Sequence, residues 1–317
     1  MTSSDNKHLG AGAVTTGWGV GLPPTIVTNA DLEARLDTSD EWITERTGIK
    51  QRHIGGTTAE LAIMAGKEAL ESAGLLPEDI DILLLATTTP DERVPGTSAT
   101  VQNALGITGG AFDLNAACSG FVYSLVVAHG LIGIGAKRIL LIGSETLSSI
   151  TNMDERTLAV VIGDGAAGIV LEATEGPGEL LSWDLGADGS LKHLLYCDHG
   201  GYLFMDGKEV FRRAVRIIVN SAQNALNKVG IRSEDIDLFV PHQANARIVE
   251  AARERLGISP EKAMVTIDRY GNTSSSSIPL ALVAAIQEGK LKKGDIVLLS
   301  GFGAGMTWGS ALLRFGG

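Results

Sequence analysis

The chain has 317 residues, 44% hydrophobic and 20% charged, enough for one large or two medium domains with a substantial core. A net charge of −11 argues against nucleic acid as a partner, and no apolar run is long enough to span a membrane. Two cysteines in so long a chain make no disulfide framework and fit a reducing cytoplasm.

Residues 1–9 begin with a polar stretch that lacks the apolar region of a signal peptide and read as a flexible tail. Thr38 and Glu41 have the spacing of a capping box. The helix they predict carries Trp42 and Arg46, four apart on one face. Residues 69–82, ALESAGLLPEDIDI, predict a helix ending at Gly74, an acidic turn, and a strand over Ile82–Ala86. A strand over Ala111–Leu114 precedes the small-residue loop Ala116–Gly120, and residues 118–134 are apolar nearly all round, the pattern of a buried helix. The run from Arg138 to Gly143 reads as a strand covered on both faces.

The second half repeats this order. Residues 225–238, ALNKVGIRSEDIDL, echo 69–82, placing Gly230 on Gly74 and Asp235 on Asp79. Strands over Leu238–Val240, Met264–Ile267 and Ile296–Ser300 lead into loops holding His242, Asn272 and Gly301–Gly305. These echoes imply two duplicated α/β halves, 10–175 and 176–317, packed together. Ligands of open α/β sheets gather at strand carboxyl ends, so the Cys118, His242, Asn272 and Gly301–Gly305 loops are expected to meet at the seam.

Cys118 opens the buried helix. An anion there is favoured by the helix dipole, which lowers a thiol pKa; a small cysteine packed in the core fits the same local sequence. Cys197 has no such setting and reads as structural or incidental. Neutral His242 and the Asn272 amide are hydrogen-bond donors. Aimed at one carbonyl oxygen they would stabilise an enolate without a strong base, which suits decarboxylation. Backbone amides of Cys118 and the Gly-rich loop would serve as an oxyanion hole. No metal-ligand spacing, GxGxxG opening or Walker-type loop is present, so neither a metal nor a nucleotide cofactor is expected.

Six motifs carry a resemblance: SDEWITERTGIKQRHI (39–54), NAACSGF (115–121), GDGAAG (163–168), VPHQANARI (240–248), DRYGNTSSSSIP (268–279) and GFGAGMTWGSALLRF (301–315). From about Ala11 to Phe315 the chain resembles β-ketoacyl-acyl-carrier-protein synthase III, of the thiolase superfamily. The resemblance implies a five-layered αβαβα fold, a homodimer, and fatty-acid initiation in the cytoplasm, in which an acyl-CoA primer condenses with malonyl-acyl-carrier protein. Both are substrates, and no cofactor is implied. By position, Cys118 would be the acylated nucleophile, His242 and Asn272 would bind the malonyl thioester carbonyl, and the amides of Cys118 and Ala304 would form the oxyanion hole, where many relatives have Gly in place of Ala304. Phe302 would pack nearby. Trp42, Arg46 and Arg156 would hold the CoA adenine. Arg212, Arg216, Arg247 and Arg255 would meet the acidic carrier protein and the pantetheine phosphate. Val94 stands where acetyl-preferring relatives often carry a Phe that crosses the dimer interface to close the acyl pocket, and the smaller side chain leaves room for branched or longer acyl chains.

Within the superfamily the alternative is an acyltransferase or condensing enzyme of a natural-product pathway with the same Cys-His-Asn set. A thiolase proper would be expected to carry a second cysteine in the final loop, and Gly301–Gly305 has none. The intact Cys118 speaks against a non-catalytic partner subunit.

Overall fold

A computed structural model describes residues 12–316, so residues 1–11, including the expected tail, lie outside the described residues. Two sheets organise the chain. The first has the order Gly12–Gly21, Asp164–Thr174, Arg138–Thr146, Ile82–Ala86, Gly110–Leu114. The second has the order Leu238–Pro241, Ile296–Gly303, Thr307–Arg314, Leu180–Ala187. In each, a parallel pair (Ile82–Ala86 with Arg138–Thr146, and Leu238–Pro241 with Ile296–Gly303) is followed by an antiparallel strand.

Strand alternation explains the layering. Leu84, Ile139 and Leu141 of the first sheet face inward with Leu238, Val240, Val297 and Leu299 of the second. Between the sheets lie helices Gly120–Gly133 and Ser277–Gln287, whose Phe121, Leu125, Ile278 and Leu282 fill the same core. Leu83, Leu85, Leu140 and Ile142 face outward onto helices Thr58–Ala73 and Thr97–Leu105. Phe239 and Leu298 face outward onto helices Gly207–Val229 and Ala246–Leu256. The result is helix, sheet, helix, sheet, helix. Both apolar helices of the middle layer are covered on two sides, which is why neither has a polar face.

The helices over Thr58–Ala73 and Gly207–Val229 both end at a left-handed glycine, Gly74 and Gly230, each with φ 68°. Three expectations shift. Ser39, not Thr38, caps helix Asp40–Thr47, its hydroxyl accepting from Trp42 N at 3.1 Å. The Cys118 helix starts at Gly120, after a 3-10 turn over Ala117–Ser119. Met264–Ile267 is not a strand: Ala263 makes one parallel bridge to Phe239, and a one-turn helix, Ile267–Tyr270, follows. The fifth strand of the first sheet is thus reduced to a single bridge in the second, because the chain turns back at once toward Asn272.

Candidate active site

Strand Gly110–Leu114 delivers the chain to a tight turn. The Asn115 side chain accepts from Ala117 N at 3.1 Å, and Ala117 adopts φ 50°, a left-handed conformation unusual for a residue with a Cβ and worth about 1–3 kcal/mol of strain. The next residue is Cys118, which lines a cavity of about 400 Å³. Leu147, Ile150, Leu158, Leu203 and Met205 make much of that wall apolar. Thr307 Oγ1 lies 2.8 Å from Ala116 O, 2.9 Å from Ser119 Oγ and 3.1 Å from Ala304 O, tying the turn to the Gly-rich loop. At Gly303 no other residue fits: an added Cβ would stand 2.4 Å from Cys118 N and 2.8 Å from the Ala117 Cβ. The small residues therefore serve to bring Ala304, which also lines the cavity, against the nucleophile turn.

Asn272 is held through its backbone. Its N–H donates to Val161 O and its C=O accepts from Gly163 N, each at 2.9 Å. Its Oδ1 accepts from Ser274 N at 2.9 Å, which assigns the amide orientation and leaves Nδ2 for the cavity that Asn272 lines. Arg52 braces this strip from behind. It is buried among neutral acceptors, donating to Asn29 Oδ1 at 2.8 Å and Val160 O at 2.7 Å, and burial lowers its pKa to about 10.

His242 follows strand Leu238–Pro241, its N–H donating to Ser300 O at 2.8 Å. The ring is 1% exposed and sits behind the cavity wall, edge-on to Phe302 with centroids 5.6 Å apart. Phe302 is itself buried and packs in the core of the second half. Nδ1 lies 2.6 Å from Ser277 Oγ. Burial pushes the His242 pKa down to about 3, so the imidazole is neutral at physiological pH.

The Cys118 thiol departs from expectation. Burial pushes it up to about 12, Ser274 hydrogen bonding offsets part of this, and the charge of Glu145 adds to it. The start of the helix that follows Cys118 favours an anion, and burial of the thiol acts in the opposite direction. Glu145 was not singled out from the sequence. It is fully buried and accepts from Thr88 N at 3.0 Å, Thr89 Oγ1 at 2.7 Å and Ser275 Oγ at 2.7 Å. The available signal was a carboxylate closing the apolar strand Arg138–Thr146, since buried charges need a dedicated set of partners.

Around the site, Trp42 has two guanidinium groups over its ring, Arg46 at 4.7 Å and Arg156 at 4.8 Å. Helix Asp40–Thr47, which carries Trp42 and Arg46, is tied to the His242 loop by Asn245 Nδ2, which donates to Arg46 O at 2.9 Å. Arg212, Arg216 and Arg255, joined by Arg213, line one cavity of about 410 Å³. Arg247 is not in that wall and lies over Phe211 at 5.5 Å. Val94 is 86% exposed and outside the Cys118 cavity of its own chain. Cys197, read from the sequence as structural or incidental, lines that cavity with Lys192 and Tyr196.

Two family models match: 3-oxoacyl-[acyl-carrier-protein] synthase III over residues 112–189 and its C-terminal part over 226–315. The chain is 50% identical to the β-ketoacyl-[acyl-carrier-protein] synthase III of Chelativorans sp., covering 94% of this chain and 98% of that protein. The chain belongs to the β-ketoacyl-acyl-carrier-protein synthase III family. Its fold is that of the family: the 3-oxoacyl-[acyl-carrier-protein] synthase III of Aquifex aeolicus superposes with a TM-score of 0.94 at 46% identity, covering 96% of this chain and all of that one. The priming β-ketosynthase of the R1128 polyketide pathway superposes at 0.92 but with 32% identity, covering 96% and 97%.

Proposed function

We propose that this chain condenses an acyl-CoA primer with malonyl-acyl-carrier protein to give β-ketoacyl-carrier protein, CO₂ and CoA, the initiating step of fatty-acid synthesis. The observation that carries the reading is one apolar cavity shared by the Cys118 thiol and the free amide of Asn272, with a neutral histidine behind it.

In the first step Cys118 Sγ attacks the thioester carbonyl. The C–S bond to CoA breaks, the bond to Sγ forms, and the thiol proton leaves on the CoA sulfur. A thiol with a raised pKa is compatible with this exchange, because its proton has an acceptor in the leaving group. The amides of Cys118 and Ala304 receive the developing oxyanion. In the second step His242 and Asn272 donate to the malonyl thioester oxygen. The bond to the carboxylate breaks, CO₂ departs, and its electron pair becomes the enolate. That carbon attacks the acyl carbonyl, the bond from the acyl carbon to Sγ breaks, and Sγ leaves as a thiolate that takes a proton from solvent.

The indole of Trp42 with Arg46 and Arg156 supports an adenine site, since a flat cationic and aromatic stack suits a nucleobase. The arginine-lined cavity supports docking of an acidic carrier protein. Among the described residues strand Gly110–Leu114 pairs with one strand and leaves its other edge open, with Phe112 39% exposed on it and Val94 86% exposed on a surface loop; such an edge is a template for strand pairing and supports a homodimer in which Val94 reaches the partner's cavity. Both cysteines are free, which suits the cytoplasm.

The test is a panel of acetyl-, branched- and longer acyl-CoAs with malonyl-carrier protein. Condensed product and a covalent acyl adduct lost in Cys118→Ala are expected; an adduct on another residue, or no CO₂ release, contradicts the reading.

A further inference from the structure

A neutral histidine can act as a donor on one nitrogen only, and which one is set by what the other nitrogen faces. His242 Nδ1 lies 2.6 Å from Ser277 Oγ. The same oxygen already accepts from the Gln243 backbone N–H at 3.2 Å. A hydroxyl has one hydrogen and two lone pairs. Gln243 takes one lone pair, and among the hydrogen bonds of Ser277 the only acceptor left for its hydrogen is His242 Nδ1. We infer that Ser277 is a positioning residue that donates to His242 Nδ1 and so keeps the imidazole proton on Nε2.

Three further features act in the same direction. Ser277 is buried and is the first residue of helix Ser277–Gln287, with Pro279 in the first turn, so its Cβ is fixed by the helix start. The positive end of that helix disfavours an imidazolium beside it. Gln243, which fixes the Ser277 oxygen from the other side, is itself locked: its Nε2 donates to Pro241 O at 2.8 Å and Met264 O at 3.1 Å, and its Oε1 accepts from Thr266 N at 2.9 Å. The chain thus runs from a buried glutamine, through a serine, to the histidine. Its end product is an Nε2–H donor, the form needed to hold a thioester oxygen and the wrong form for taking a proton from Cys118. The inference rests on the reading of His242 as an oxygen-binding donor, and it assigns the decarboxylation half of the reaction, not the acylation half, to Ser277.

The experiment uses the full chain, wild type and Ser277→Ala, Ser277→Thr and His242→Ala, and three readouts: the ¹⁵N spectrum of histidine-labelled protein, self-acylation by acyl-CoA, and malonyl-carrier-protein decarboxylation. Wild type is expected to show the Nε2–H pattern for His242. Ser277→Ala is expected to mix the two tautomers and lower kcat for decarboxylation at least about tenfold, while self-acylation stays within about twofold, which also shows that the variant is folded. Ser277→Thr, which keeps the hydroxyl, is expected to restore both tautomer and rate. The inference is overturned if Ser277→Ala leaves the tautomer and kcat unchanged, if self-acylation falls in step, or if threonine does not rescue. His242→Ala separates the two claims: full decarboxylation without the histidine removes the reading of His242, whereas its loss there but not in Ser277→Ala removes only the role of Ser277.

Discussion

The two halves carry one turn in two versions. In the first, Ala117 at φ 50° precedes Cys118; in the second, Ser274 at φ 49° precedes Ser275. Each turn continues as a short 3-10 segment, Ala117–Ser119 or Ser274–Ser276, into a central apolar helix. Yet Cys118 opens onto the cavity, while Ser275 is buried and gives its hydroxyl to Glu145 at 2.7 Å and its N–H to the same carboxylate at 3.3 Å. The duplication therefore supplies the same strained backbone twice, and the surroundings decide its use. One copy presents a nucleophile; the other anchors the loop that carries Asn272 onto a carboxylate of the opposite half. Glu145 is the join, since its other donors, at Thr88 and Thr89, belong to the first half.

The largest expected difference between the turns is covalent. Cys118→Ala removes the acyl adduct completely, whereas Ser275→Ala leaves it, as read by intact-protein mass after incubation with acyl-CoA. An adduct that survives the first change or vanishes with the second breaks the comparison. Glu145→Ala comes next. It strands buried neutral donors at Thr88, Thr89 and Ser275, and at about 1–3 kcal/mol for each unsatisfied group a loss of at least about 3 kcal/mol is expected in denaturant unfolding. Ser275→Ala removes one donor from that carboxylate and should cost about 1–3 kcal/mol. If both variants unfold like wild type, Glu145 is no join.

The effect smallest at physiological pH is the ionisation of His242. His242 is held down to about 3 from an ordinary 6.5 by burial. The unfolded chain therefore takes up a proton below 6.5 that the native state refuses until about 3. Stability from this residue is unaffected above 6.5 and falls as pH drops from there toward 3. The decarboxylation rate should accordingly show no ionisation near the ordinary histidine value; a limb near 6.5 that disappears in His242→Ala contradicts a neutral, desolvated ring.

The parts of this arrangement that are local were legible in the sequence. The all-apolar helix just after Cys118, Gly74 and Gly230 after matching helices, and the loops after strands Gly110–Leu114 and Leu238–Pro241 follow from neighbours a few positions apart. What escaped depends on distant contacts. The pattern at Met264–Ile267 suits a strand, but the partner length and the return at Gly271 leave one bridge and a helical turn. The direction of the Cys118 pKa turned on desolvation and on Glu145, whose burial needs Thr87–Thr89 and Ser275, far apart in the chain. Ser277 is the last of four consecutive serines, Ser274–Ser277, and only the fold shows that this one reaches His242. Arg247 shares a helix face with Arg255 by spacing, yet the ring of Phe211 takes it out of the arginine-lined cavity.

The central claim is a division of labour, with the thiol of one half holding the acyl group and the donors of the other half generating the enolate. Asn272→Ala tests it most directly, with self-acylation by acyl-CoA and release of CO₂ from malonyl-carrier protein measured on the same preparation. An unchanged adduct with decarboxylation lowered by about 10²–10³-fold is expected. Equal loss of both activities would contradict the account.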